Sequence, residues 1–102
     1  MSIYLENPIT SLKGIGPNFA HRMGTTEKIQ TVGDLYYRLK MIKHPTTRKE
    51  FLKKILRNFE NNRVNTYAFY HVRNFFQRYY KIPIDNISKP YQPKSIVNRG
   101  LH

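Results

Sequence analysis

Ile9-Thr10-Ser11-Leu12-Lys13-Gly14-Ile15-Gly16-Pro17-Asn18-Phe19-Ala20-His21-Arg22-Met23 sets two glycines around one isoleucine, between two short runs of helical apolar spacing. Ile9 and Leu12 precede the glycines, and Ala20 and Met23 follow them. Glycine on both sides of Ile15 lets the backbone turn sharply and lie close to another molecule, because no Cβ opposes positive φ. Ile15 is then expected to point inward and anchor the turn. Pro17 suits the first position of a helix, where its missing N–H removes no bond. The expected result is a hairpin of two short helices, about residues 8–13 and 17–23. Its N–H groups at Gly14, Gly16 and Asn18 would gather at a helix N-terminus, an arrangement that attracts phosphate.

This segment resembles the helix-hairpin-helix family of sequence-independent DNA-binding elements. The residues that carry the likeness are Ile9, Leu12, Gly14-Ile15-Gly16, Ala20 and Met23, with Thr31-Val32-Gly33-Asp34-Leu35 as the helix start that often follows such hairpins. It covers roughly residues 9–39. Asn18 stands where the family often has a lysine, and the link from Gly24 to Gln30 is longer and more polar than usual. The resemblance implies a sequence-independent grip on the phosphates of duplex DNA, and with no catalytic motif in the chain the expectation is a non-enzymatic one.

Charge points the same way. The chain has 102 residues, with 18 Lys and Arg against 6 Asp and Glu, a net charge of +12. That excess goes beyond what solubility needs and suits a polyanionic partner. Its placement is uneven. Residues 1–40 hold five basic and three acidic side chains, net +2, whereas residues 41–102 hold thirteen and three, net +10. Nucleic acid gripped by the hairpin is therefore expected to touch the second half as well.

Periodicity predicts an all-α fold, a small bundle of about five helices over residues 1–80. A third helix begins at Thr31, where Thr31 and Asp34 can form a capping box, with Val32, Leu35, Tyr36 and Leu39 as its buried stripe; His44-Pro45 ends it. The fourth starts at Thr46 or Thr47, with Glu50 completing a second box with Thr47. Phe51, Leu52, Ile55, Leu56 and Phe59 share one of its faces, and Lys53, Lys54 and Arg57 share the opposite one. Only Glu50 opposes those three cations on that face, which favours a polyanion contact there. Asn61-Asn62 makes a turn. The fifth helix, about 64–80, is apolar around Val64, Ala68, Val72, Phe75, Phe76 and Tyr79, with Tyr70, Arg73, Asn74 and Gln77 as a polar stripe. Its aromatics, interleaved with Arg73 and Arg78, read first as core and second as a stacking platform for bases. Residues 81–102 read as an extended, proline-containing basic tail, separable from the helical domain.

The residues expected to contact nucleic acid are Lys13, Gly14, Ile15, Gly16, Asn18, His21 and Arg22 in the hairpin, Lys53, Lys54 and Arg57 on the fourth helix, and Arg63 beyond it. Duplex DNA is the favoured partner. The alternative is RNA, with the chain as a basic structural subunit of a ribonucleoprotein or other large assembly. The fifth helix and the tail are the expected surfaces for a protein partner or a second copy of the chain. No membrane contact is expected, because no apolar run approaches the roughly 20 residues of a span. No secretory signal pattern is visible, so the expected location is intracellular: nucleus, nucleoid or virion for a DNA-packaging role.

No catalytic constellation, cofactor loop or metal motif stands out. The chain has no cysteine, and His21, His44, His71 and His102 lack metal-ligand spacing. Some helix-hairpin-helix proteins are glycosylases or lyases with a lysine and an aspartate near a second hairpin. Here Glu60-Asn61-Asn62-Arg63-Val64 has no Gly-x-Gly and no such pair follows.

Overall fold

Gly16, extended at φ −92° and ψ −174°, caps a helix that Pro17 opens, α1 (Pro17–Thr26). The architecture comes from a computed structural model of the chain, which describes residues 3–84. Three further α-helices follow: α2 (Val32–Met41), α3 (Pro45–Ile55) and α4 (Thr66–Tyr80). With no named strand among the described residues, the fold is a small all-α bundle.

The helix expected over 8–13 is a single 3₁₀ turn, Ile9–Ser11. Leu12 is already extended at ψ 133°, and Gly14 at φ +94° turns the chain before a second helical turn can form. α1 in turn runs three residues past the expected end, carrying Gly24 inside it. The segment before the 3₁₀ turn lies along the start of α2. There Ile9 N–H donates to the Gln30 carbonyl at 3.0 Å, Val32 N–H to Asn7 at 2.9 Å and Gly33 N–H to Leu5 at 2.7 Å. A Cβ on Gly33 would stand 2.9 Å from the Leu5 carbonyl oxygen, so the close approach requires glycine.

The capping box at α2 forms as the sequence indicates. Asp34 N–H donates to Thr31 Oγ1 at 3.1 Å, and Thr31 N–H donates to Asp34 Oδ2 at 3.0 Å. The second box does not form. α3 begins at Pro45 with His44 as its cap, because proline is already set for the first helical position. Thr47 therefore lies inside the helix.

Helix α3 also ends early, with Leu56 as its C-cap, so Arg57 and Phe59 fall outside it. Residues 56–65 instead form a tight hairpin. Asn58 N–H donates to Arg63 O and Asn65 N–H to Leu56 O, each at 2.7 Å. Asn62 takes the left-handed conformation at φ 58°, as suits an asparagine turn. Val64 pairs with Arg57 across this hairpin, which delays α4 to Thr66, where Asn65 caps the Ala68 N–H at 3.0 Å.

One core joins these elements: Ile9, Leu12, Ile15, Phe19 and Met23 meet Val32, Leu35, Leu39, Leu52, Leu56, Val72, Phe75 and Phe76. The core does not stop at α4. Ile82 and Ile84, which the sequence reading assigns to the tail, are buried. Arg48 holds that last stretch in place. Its Nε donates to the Leu39 and Ile42 carbonyls at 2.9 Å, and its guanidinium donates to the Pro83 carbonyl at 2.8 Å. The remainder of the expected tail, residues 85–102, lies outside the described residues.

Candidate functional site

The two glycines of the hairpin have different surroundings. Gly14 carries the positive φ and sits on α4, where a Cβ would meet the Ala68 Cα at 2.7 Å. Gly16 has ordinary extended backbone, and a Cβ there would meet nothing within 4 Å. Freedom of φ is thus needed at Gly14 alone, and open space lies beside Gly16. Between them Ile15 is buried, and its N–H donates to Leu12 O at 3.1 Å. This seats the hairpin on the core, as its apolar character suggests.

Beyond Gly16, the first bond of α1 runs from Ala20 N–H to Gly16 O at 3.0 Å, and no side chain caps the helix. The amide groups of its first turn are those that every helix leaves without an intrahelical acceptor. Docking Gly14 against Ala68 also opens a cleft of about 680 Å³ between the hairpin and α4. Thr10, Ser11, Lys13, Gly14 and Gly16 line one side; Tyr70, His71, Asn74, Arg78 and Tyr79 line the other. Lys13 and Arg78 bring positive charge, and among the described residues no carboxylate lines the cleft.

The residues singled out from sequence divide into three groups. Lys13, Gly14, Ile15 and Gly16 come together at the cleft. Asn18 and His21 are exposed on α1, and Arg63 is exposed on the 56–65 hairpin. The others are engaged by neighbouring groups of the chain. Arg22 donates to the Arg57 carbonyl, and its guanidinium lies 4.1 Å from the Phe59 ring centroid and 5.3 Å from that of Phe19. Lys54 reaches Glu27 at 3.2 Å, Lys53 lies 3.8 Å from Glu50, and Arg57 donates to Asn62 O at 3.1 Å. Lys53, Lys54 and Arg57 therefore do not make one helical face: Arg57 lies past the end of α3, and folding brings Glu27 to Lys54.

Glu27 is the acidic node of this framework. Burial pushes its carboxyl up, but Arg38 at 2.8 Å and Lys54 outweigh it and hold the group below its ordinary value. Backbone N–H groups of Gln30 and Thr31 hold Asp34 low in the same sense. Both carboxylates are engaged by donors that also tie the fold. Among the described residues, no group of three or more His, Asp or Glu side chains could hold a metal ion, and no helix is long and apolar enough to cross a membrane.

Of the α4 side of the cleft, the sequence marks Tyr70 and Asn74 as a polar stripe and offers the aromatics with Arg78 as a second reading, a stacking platform. His71, Asn74 and Arg78 follow one another at helical spacing. What that line faces depends on where the hairpin docks, and the α4 pattern alone does not contain it. Tyr79, expected at the centre of the buried arc, is 47% exposed. No protein-family model, curated protein or solved structure matches the chain.

Proposed function

We propose that this chain is a non-enzymatic, sequence-independent nucleic-acid-binding protein of the helix-hairpin-helix kind, with duplex DNA as its favoured partner. The observation that carries the reading is the contrast at the hairpin. Gly14 is committed to packing, while Gly16 leaves open space beside an uncapped helix start. A phosphate placed there would accept from backbone N–H groups and meet the positive end of the α1 dipole. Lys13 and Arg78 line the cleft that Gly16 borders, and the chain's excess of +12 supplies long-range attraction. Such contacts run to the phosphate backbone and carry no base information, so the binding would ignore sequence.

Titration of labelled duplexes of unrelated sequence, followed by fluorescence anisotropy, tests the reading. The key variant is Gly16→Val, whose backbone angles suit a β-branched residue, so the fold is kept while the bulk blocks phosphate. Comparable affinity for all duplexes, with a loss of roughly tenfold in the variant, supports the proposal; one well-aligned charge-assisted contact is worth about that much. Unchanged affinity in the folded variant, or strong preference for one duplex sequence, overturns it.

A further inference from the structure

We infer that the cleft between the hairpin and α4 receives single-stranded nucleic acid, stacking a base on Tyr70 or Tyr79 while Lys13 and Arg78 hold its phosphates. This rests on the polyanion reading above and adds to the duplex a second form of nucleic acid, an unpaired strand. Helix α4 has one face fully committed to the core: Ala68, Val72 and Phe76 have no exposure. Three of its four tyrosines are placed otherwise, while Tyr80 packs against the core. Tyr67, Tyr70 and Tyr79 are 56%, 42% and 47% exposed, large aromatic surfaces turned outward on a helix that does not need them for burial.

These rings are also held in position. Tyr67 and Tyr70 meet the His71 ring edge-on, with centroids 4.5 and 5.3 Å away, and Tyr79 packs 5.5 Å from Phe75. A pre-positioned aromatic surface loses little side-chain freedom when a flat ligand settles on it. The cleft beside it has cations, hydroxyls and the Asn74 amide along its walls, and no carboxylate among the described residues. The cleft continues along α4 as a second recess, of about 410 Å³, lined by Tyr70, Asn74, Gln77 and Arg78. Aromatic faces alternating with positive charge along a groove are the two components of single-strand recognition. Bases of an intact duplex have both faces covered by their neighbours. An unpaired strand can turn a base toward the tyrosines while its backbone follows Lys13 and Arg78.

The test uses the full chain and three labelled probes: a short oligothymidine, an oligouridine of the same length and a duplex. Tyr70→Ala with Tyr79→Ala removes both platforms, and Tyr70→Phe with Tyr79→Phe keeps the rings. The alanine pair is expected to lose roughly five- to a hundredfold affinity for the single strands, the effect of losing a stacked base. Duplex affinity should stay within about twofold, and the phenylalanine pair should bind like the parent. Ultraviolet crosslinking of an iodouridine strand to the parent protein should map to Tyr70 or Tyr79, a readout that does not depend on the variants folding. Stronger binding of either single strand, within that pattern, identifies the preferred sugar. Single-strand affinity that survives the alanine pair, or crosslinks elsewhere, overturns the inference. Duplex binding without single-strand binding overturns it too, while leaving the hairpin proposal standing; failure to bind any of the three probes overturns both.

Discussion

Gly14 lies so close to Ala68 that a Cβ on the glycine would stand 2.7 Å from the alanine Cα, and Gly14 holds φ +94° to reach that contact. The hairpin is therefore pinned to α4 by the first glycine and left open by the second. Gly14→Ala should lower stability by about 2–4 kcal/mol, from left-handed strain and overpacking together. Gly16→Ala should change it by less than about 1 kcal/mol, since its backbone angles suit any residue. Urea denaturation of both variants checks the difference, and equal losses would refute the division of roles.

Arg48 ties three backbone carbonyls, those of Leu39, Ile42 and Pro83, to one guanidinium. Arg48→Met keeps much of the stem and should destabilise the fold by about 1.5–3 kcal/mol, the range for hydrogen bonds to a charged group. Ile82→Ala with Ile84→Ala truncates two buried side chains, each worth about 1.5–3 kcal/mol, and should lower the melting temperature sharply. Thermal melts of the parent and the paired variant check this, and an unchanged midpoint would refute the strap.

Arg22 is expected to matter for folding more than for binding. Its guanidinium bonds the Arg57 carbonyl and covers Phe59 and Phe19, linking α1 to the 56–65 hairpin. Arg22→Ala should cost about 1–3 kcal/mol in denaturant titrations, from the lost charge-assisted bond and ring contacts. Duplex affinity per folded molecule should change by less than about threefold. A tenfold loss of affinity at unchanged stability would return Arg22 to the binding surface.

Acid should lower the domain's stability through Asp34 and Glu27. Both carboxyls are held below their ordinary values of 3.8 and 4.5. A depressed carboxyl binds fewer protons folded than unfolded, so its stabilisation is complete above the ordinary value and fades as pH falls through the folded one. Stability should accordingly be flat on the neutral side of 4.5 and decline below it. Asp34→Asn should lower neutral-pH stability by about 1 kcal/mol through the weakened cap, and should flatten the acid limb. An acid limb identical in Asp34→Asn and parent would contradict the assignment.

Local signals were legible and distant ones were not. Thr31 and Asp34 are three residues apart, and their box can be read directly; Gly16-Pro17 likewise marks the start of α1. At α3 two local signals competed, and Pro45 won over Thr47 because its φ is already fixed. Phe59 has the right spacing for α3's buried face, but pairing between Asn58 and Arg63 takes the chain out of the helix first. Lys54 with Glu27 and Arg22 with Arg57 are contacts across elements, so a helical projection of the cations could not show them as engaged. On α4 the period marks stripes without saying which of them the hairpin will flank. The contact of Gly14 with Ala68 decides which of them becomes the wall of the cleft.

The central claim, a phosphate grip at the hairpin, is tested most directly by the salt dependence of duplex binding. If about five phosphates are neutralised, log K should fall against log salt with a slope of roughly −4.5. Lys13→Ala with Arg78→Ala should make that slope shallower by about two, one for each lost phosphate contact. A slope near zero for the parent, or one that the paired variant leaves unchanged, would contradict the account.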